Sequence, residues 1–228
     1  MSADRCLGLI GGLGPGATIT YYRALVAAHA ARDRVARMMI AHADVDRVLA
    51  LTGASDRDGL AQYLAGVIAD LKAAGAELTA IVAVTPYICA PQLVPRSPLP
   101  LIDMVTEVAR AVRQKGLTRI ALFGTRFTVE TSMFGRLEGI DIAMPRPDEL
   151  TQIHNSYADI VADRHTPAQL DQLRELARTL IARDGAEVVL LAGTDLSTVF
   201  DEDNAGFPLL DCAGVHIAAI AKQMMASQ

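Results

Sequence analysis

The segment Leu71-Lys72-Ala73-Ala74-Gly75-Ala76-Glu77 precedes the apolar run Leu78–Val84, and Ile181-Ala182-Arg183-Asp184-Gly185-Ala186-Glu187 precedes a second run ending at Leu191. Each reads as the end of a helix, a glycine stop in the left-handed region, and a strand apolar enough to be buried on both faces of a parallel sheet. The shared helix–Gly-Ala-Glu–strand pattern points to an internal duplication. Each copy ends in a loop at the carboxyl end of its strand, where open α/β sheets collect ligands.

Outward from these two copies, strand-length apolar runs alternate with helix-period segments. Strands are expected at Cys6–Ile10, Val35–Ala41, Arg119–Phe123, Ile140–Ala143 and Pro208–Leu210. Helices are expected at about Ala17–Arg32, Asp58–Ala74, Thr106–Lys115, Thr128–Glu138, Thr151–Val161, Ala168–Arg183 and Val215–Met225. That alternation predicts an α/β fold of parallel sheets flanked by helices. The Pro-rich stretch Pro91–Pro100 is the candidate crossover between the halves, because proline stiffens the chain and interrupts both helix and sheet.

Composition narrows the function classes. Of 228 residues, 51% are hydrophobic and 21% charged, which excludes a disordered chain. Aromatics are only 4% and Trp is absent, so Ala, Leu, Val and Ile must build the core. A net charge of −5 argues against a bulk nucleic-acid surface. Gly11, Gly12, Gly14 and Gly16 interrupt the first apolar run, and no stretch reaches the roughly 20 apolar residues of a membrane span. No secretory leader pattern is present, and three widely spaced cysteines without a CxxC argue against a disulfide scaffold or zinc cage. These features predict a cytoplasmic protein without a membrane or nucleic-acid partner. No His, Asp or Glu pair has metal-ligand spacing.

Gly12-Leu13-Gly14-Pro15-Gly16-Ala17 fits the dinucleotide pattern G-x-G-x-x-A between a strand and a helix. Pro15 removes one N–H from that loop, and no acidic residue sits about 20 positions on at the end of the next strand, Asp44 coming later in the loop after it. The rival reading is a tight turn whose N–H groups bind a carboxylate or nothing.

Several segments, in order, resemble the aspartate/glutamate racemase superfamily. These are Ile10-Gly11-Gly12-Leu13-Gly14-Pro15 with Ala17-Thr18 and Tyr21-Tyr22; Gly124-Thr125 with Thr128, Ser132 and Phe134; Ile153-His154 with Tyr157; and Asp211 with His216. The resemblance implies two pseudo-symmetric α/β lobes with the active site in the cleft between them, and a homodimer. One lobe is then residues 1–98 with 207–228, and the other 99–206. It also implies cofactor-independent chemistry on a small anionic substrate. In the family, two cysteines, one per lobe, act on opposite faces of the substrate's α-carbon, one as base and one as acid.

Both cysteines are missing here. Ala83 and Gly193 stand at their places, in Val82-Ala83-Val84-Thr85 and Ala192-Gly193-Thr194-Asp195. Val84 and Tyr87 replace the family's asparagine and histidine, while Thr85 and Thr194 remain and Asp195 keeps an acidic group. The catalytic candidates are therefore Thr85, Thr194, Asp195 and Tyr87. Tyr87 is an acid or a packed residue with a satisfied hydroxyl, and Asp195 is a base or a helix cap. Substrate contacts are implied for Gly12, Arg47, Val84, Thr125, Thr128, Arg164 and His216. The two arginines stand where the family binds carboxylates, and each is also readable as a solvated surface charge. His216 is a titrating group or a structural partner for Asp211. Cys89 and Cys212 read as small buried hydrophobes rather than replacement nucleophiles.

Two-thiol racemisation does not fit these replacements. The implied function is a cofactor-independent enzyme acting next to the carboxylate of a small (di)carboxylic or amino acid, by isomerase, lyase, decarboxylase or hydrolase chemistry. The glycine-loop and threonine-loop N–H groups are suited to a developing oxyanion. The alternative is a catalytically inactive dicarboxylate-binding homologue.

Overall fold

A computed structural model describes residues 4–226, which divide into two units, 4–104 with 216–226 and 105–215. In the first unit, β1 (Leu7–Gly11) is buried along its whole length. It lies between β2 (Met38–His42) and β3 (Leu78–Ile81), both parallel to it. Helix α1 (Pro15–Ala30) begins with a proline, whose fixed φ suits a first turn. Helices α2 (Val45–Gly53) and α3 (Arg57–Ala73) are capped by Asp44 and Asp56, which accept from the N–H groups of Arg47 and Gly59. Leu60, Leu64, Ile68 and Leu71 line one face of α3 at helical spacing. The first three are fully buried, each contributing about 1.5–3 kcal/mol. A 3₁₀ turn (Thr85–Cys89) and the short α4 (Ala90–Leu93) come after β3.

In the second unit, α5 (Met104–Gln114) leads to β4 (Arg119–Phe123), and α6 (Arg126–Glu130) to β5 (Asp141–Ile142). Helices α7 (Pro147–Val161) and α8 (Pro167–Asp184) precede β6 (Val188–Leu191). A 3₁₀ turn (Thr194–Thr198) and β7 (Leu209–Asp211) complete this unit's order, and α9 (Cys212–Met225) starts in it, its residues from His216 on belonging to the first unit. The parallel sheet runs β5-β4-β6-β7. Leu173, Leu176 and Leu180 of α8 pack with Val189, Leu191 and the rings of Phe123, Phe200 and Phe207. Gly185, at φ 70°, turns the chain out of α8 as the sequence predicts, and Gly75 does so after α3 at φ 102°.

The two units repeat one local device. Glu77 accepts from the Cys6 N–H at 2.7 Å, and Glu187 accepts from the Thr118 and Arg119 N–H groups at 2.8 and 2.9 Å. In both, the glutamate of the Gly-Ala-Glu segment ties its own strand to the start of the neighbouring one.

Several expected elements shift, each for a local reason. The expected strand Leu78–Val84 ends at Ile81, and Val82–Val84 becomes loop. The expected helix Thr128–Glu138 stops at Glu130, because Ser132, Met133 and Phe134 take φ values of 49°, 52° and 66°. There Thr131 Oγ1 donates to the Phe127 carbonyl and accepts from the Phe134 N–H, a local alternative to the helix ladder. The unit borders also move. Leu101 pairs with Thr79 and so belongs with the first sheet, not with a segment starting at 99. Strand β7 pairs with β6, so residues 207–215 belong to the second unit rather than the first. Among the described residues, no helix is long and apolar enough to cross a membrane.

Candidate active site

At the carboxyl end of the first unit's sheet, β1 turns into α1 through Gly11 and Gly12. Gly12 has φ 83°, and a Cβ there would stand 2.9 Å from the Ala43 carbonyl oxygen and from the His42 ring, so only glycine fits. Its N–H is not left for a ligand, because it donates to Thr18 Oγ1 at 3.2 Å, and Thr18 in turn donates to the Gly14 carbonyl. The loop thus closes on itself, which weakens both the dinucleotide reading and a direct role for the Gly12 N–H.

At the end of β3, Ala83 and Thr85 are half-buried and Val84 is buried. Thr85 opens its 3₁₀ turn as Thr194 opens the other. Tyr87 is a correction to the catalytic set. Its hydroxyl accepts from the Ile81 N–H at 3.1 Å and lies 3.2 Å from the carbonyls of Ile81 and Ile102, and the side chain is fully buried. The second unit explains why. The Tyr87 N–H donates to Val84 and the Leu196 N–H to Gly193, both at 3.0 Å, so Tyr87 occupies the place of a core residue.

His216 is likewise a pin rather than a ligand for substrate, and its partner is not Asp211. Its Nε2–H donates to the Ile102 carbonyl at 2.8 Å, which leaves Nδ1 to accept from the Tyr21 hydroxyl at 3.0 Å. Burial pulls its pKa from 6.5 down to about 4, against the Ile102 hydrogen bond and the charge of Asp103. The ring is therefore neutral at physiological pH.

Arg47, on α2, is exposed and stacks its guanidinium 4.5 Å over the Tyr63 ring, whose hydroxyl accepts from the Asp44 N–H. The sequence reading missed Tyr63 and also His42, an exposed imidazole on the last residue of β2 against the glycine loop. Its signal was positional: a histidine at a strand's carboxyl end beside a glycine turn. A separate open groove of about 650 Å³ in this unit, lined by Arg32, Lys222 and small residues of α1 and α9, lies away from these loops.

In the second unit, β4 is followed by Gly124, where a Cβ would approach the Ala192 carbonyl oxygen to 2.7 Å. Thr125 caps α6, its hydroxyl accepting from the Thr128 N–H and lying 2.9 Å from the Thr128 hydroxyl. These two predicted substrate contacts thus first serve the cap, and Thr128 is fully buried. Arg164 comes after α7 with its side chain 72% exposed, 3.5 Å from Asp159 of the same helix.

Thr194 and Asp195 come together in the buried turn after β6. Beside them stands Tyr157 of α7, which the sequence offered only as part of a motif. A Cβ added at Gly193 would meet the Tyr157 ring at 2.5 Å and its hydroxyl oxygen at 3.1 Å. The ring therefore fills the room that a side chain at 193 needs. The phenol faces Asp195 Oδ2 at 3.5 Å, a long hydrogen bond. Burial and then the charge of Asp195 push its pKa well above the ordinary 10, so it stays protonated at neutral pH. The signal available in the sequence was the glycine at 193 itself, whose absent side chain leaves room that a neighbour can fill.

The thiols are inert in this setting. Cys89 donates to the Pro86 carbonyl, and burial raises its pKa to about 12. Cys212 is fully buried and raised by burial and then by Asp211, whose own carboxyl caps the start of α9. Cys6 is buried and raised as well. Among the described residues, no group of His, Cys, Asp and Glu is arranged to hold a metal ion.

The family model for Asp/Glu/hydantoin racemases matches residues 10–220. The chain belongs to that family. Among solved structures, the "putative Asp/Glu Racemase from Yersinia pestis" is 26% identical. It matches over 97% of this chain and 100% of its own, with a TM-score of 0.85. PH1733, an aspartate racemase homologue from Pyrococcus horikoshii OT3, is 20% identical over 97% of this chain and 100% of its own, with a TM-score of 0.81. A more distant bearer of the fold is the maleate isomerase Iso from Pseudomonas putida S16. It is 16% identical over 97% of this chain and 92% of its own, with a TM-score of 0.52. The racemase-family fold is thus kept along the chain.

Burial of these groups has two measurable consequences. A thiol-reactive disulfide reagent at pH 7.5 should leave the native protein unlabelled on the timescale on which it labels free cysteine, and should titrate three thiols after unfolding in guanidinium. For His216, the folded pKa of about 4 lies below the ordinary 6.5, so the unfolded chain binds the extra proton. Stability should be intact above pH 6.5 and fall by about 3 kcal/mol as pH drops toward 4. Denaturant midpoints measured across that window should show this loss, and it should shrink in His216→Gln.

Proposed function

We propose that this chain is an enzyme that acts at the carbon next to the carboxylate of a small (di)carboxylic or amino acid, by single-proton chemistry rather than two-thiol racemisation. The observation that carries this reading is the state of the sulfur. Ala83 and Gly193 occupy the strand ends where the family resemblance expects thiols, and the chain's three cysteines are buried, each with its pKa raised. A thiol that stays protonated at neutral pH is neither a base nor a nucleophile.

Chemistry that needs one proton, or only stabilisation of an enolate-like intermediate, survives this loss. Isomerisation, decarboxylation, elimination and hydrolysis are of that kind, and the maleate isomerase illustrates that the fold hosts reactions other than racemisation. The reading gives Arg47 the substrate carboxylate. Tyr63 beneath it fixes the guanidinium plane, which suits a planar two-oxygen partner. Arg164 has the weaker claim, since it is open to solvent and already beside Asp159. Thr85 and Thr194 begin the two turns, and the N–H groups at these first positions are the ones suited to a developing oxyanion, since those of Tyr87 and Leu196 are given to Val84 and Gly193. The proposed chemistry uses no cofactor.

The test is solvent deuterium incorporation, in D₂O, into the enantiomers of aspartate and glutamate, maleate, and 2-substituted malonates. The expected result is turnover or label with at least one acid, the label entering from one face only. Equal labelling of both enantiomers of one amino acid would restore racemisation and overturn the proposal. Saturable binding of these acids without label or turnover would favour the inactive binder instead.

A further inference from the structure

We propose that the Tyr157 phenol is the proton donor of the second unit's strand-end site, held by Asp195 in the space opened by Gly193. The inference rests on the enzymatic reading above and gives the single proton a source.

Three observations meet at this point. First, Gly193 leaves a gap at the end of β6, and the Tyr157 ring enters it, with the hydroxyl oxygen 3.1 Å from where a Cβ at 193 would stand. A cysteine sulfur at that position would sit one bond further out, so the phenol oxygen comes to the neighbourhood a thiol would use. Second, the carboxylate of Asp195 is 4% exposed and 3.5 Å from the same hydroxyl. A buried carboxylate accepting from a phenol fixes the ring's orientation and holds the proton on oxygen. Third, Tyr157 is only half-buried, unlike Tyr87 and Tyr21, whose hydroxyls are consumed by backbone or imidazole deep in the first unit's core.

The arrangement works in one direction. Asp195 and burial both oppose loss of the phenolic proton at neutral pH, so Tyr157 does not act as a base toward a resting substrate. A carbanionic carbon formed next to a carboxylate is far more basic than a phenolate and takes the proton readily. In that step the O–H bond of Tyr157 breaks with its electron pair staying on oxygen, while the carbanion's electron pair forms the new C–H bond. Water then returns a proton to the phenolate. In a decarboxylation the electron pair comes from the C–C bond that releases carbon dioxide, so no oxidant or reductant is required. A pair of thiols can work in either direction, whereas this donor delivers to one face only.

The experiment compares the wild-type chain with Tyr157→Phe and Gly193→Ala, using the acids named above in D₂O. Tyr157→Phe keeps the ring that fills the gap and removes the proton, so its melting temperature should stay close to wild type. Its kcat should fall about 10²–10⁴-fold with KM little changed. In Gly193→Ala the added methyl group should push the ring aside and lower kcat in the same direction. Wild-type kcat should be flat from pH 7 to 9. A wild-type chain active on one of these acids, with Tyr157→Phe equally active, overturns the role of Tyr157 and leaves the enzymatic reading standing. Wild type without label or turnover on any of them overturns the enzymatic reading and this role together.

Discussion

A parallel strand receives no help from a tight turn, so its register must be set from outside, and here two glutamates set it. Glu77 and Glu187 reach across to backbone N–H groups at the start of the adjoining central strands. Three donors on Glu187, the backbone groups of Thr118 and Arg119 and the Thr118 hydroxyl, hold its carboxyl below the usual carboxylate range. In this register Ile81 stands opposite Ile10 and Leu191 opposite Phe123, each succeeded by a short loop and a threonine-led 3₁₀ turn.

The side chains carried on those turns divide into scaffold residues and working ones. Tyr87 and Leu196 are equivalent in their backbone hydrogen bonds, and both side chains go into the core. Tyrosine is tolerated there because Ile81 and Ile102 satisfy its hydroxyl, as an unpartnered one would cost about 1–3 kcal/mol. The same economy governs His216, whose two nitrogens are both used and whose ring is kept neutral. Gly193 differs in kind. Its missing side chain is replaced from another element, and the replacement carries a polar group next to a buried carboxylate.

Much of this was legible in the sequence. The Gly-Ala-Glu copies gave away the parallel sheets, because a glycine stop leading straight into a continuous apolar run suits a doubly covered strand and little else. The helix ends at Gly75 and Gly185 and the loop holding Gly193 could be placed from residue type alone, whereas Ala83 reads as the end of a strand that in fact stops at Ile81. Two kinds of feature could not. Helix α2 was hidden because Asp44, its cap, reads equally as a loop residue, and α6 was overextended because nothing local marks Ser132–Phe134 for the left-handed region. The roles of Tyr87, His216 and Tyr157 depend on contacts with distant segments, Tyr21 and its imidazole partner being 195 positions apart. A list of polar residues near a strand end does not say which hydroxyl is already spoken for.

The central claim is that proton chemistry at this fold's strand ends proceeds here without sulfur. The most direct measurement is solvent-deuterium incorporation by a folded, cysteine-free variant carrying Cys6→Ala, Cys89→Ala and Cys212→Ala, beside the unaltered chain. The account predicts equal rates for the two proteins. Loss of exchange in the variant, with its circular dichroism and melting behaviour retained, would contradict it.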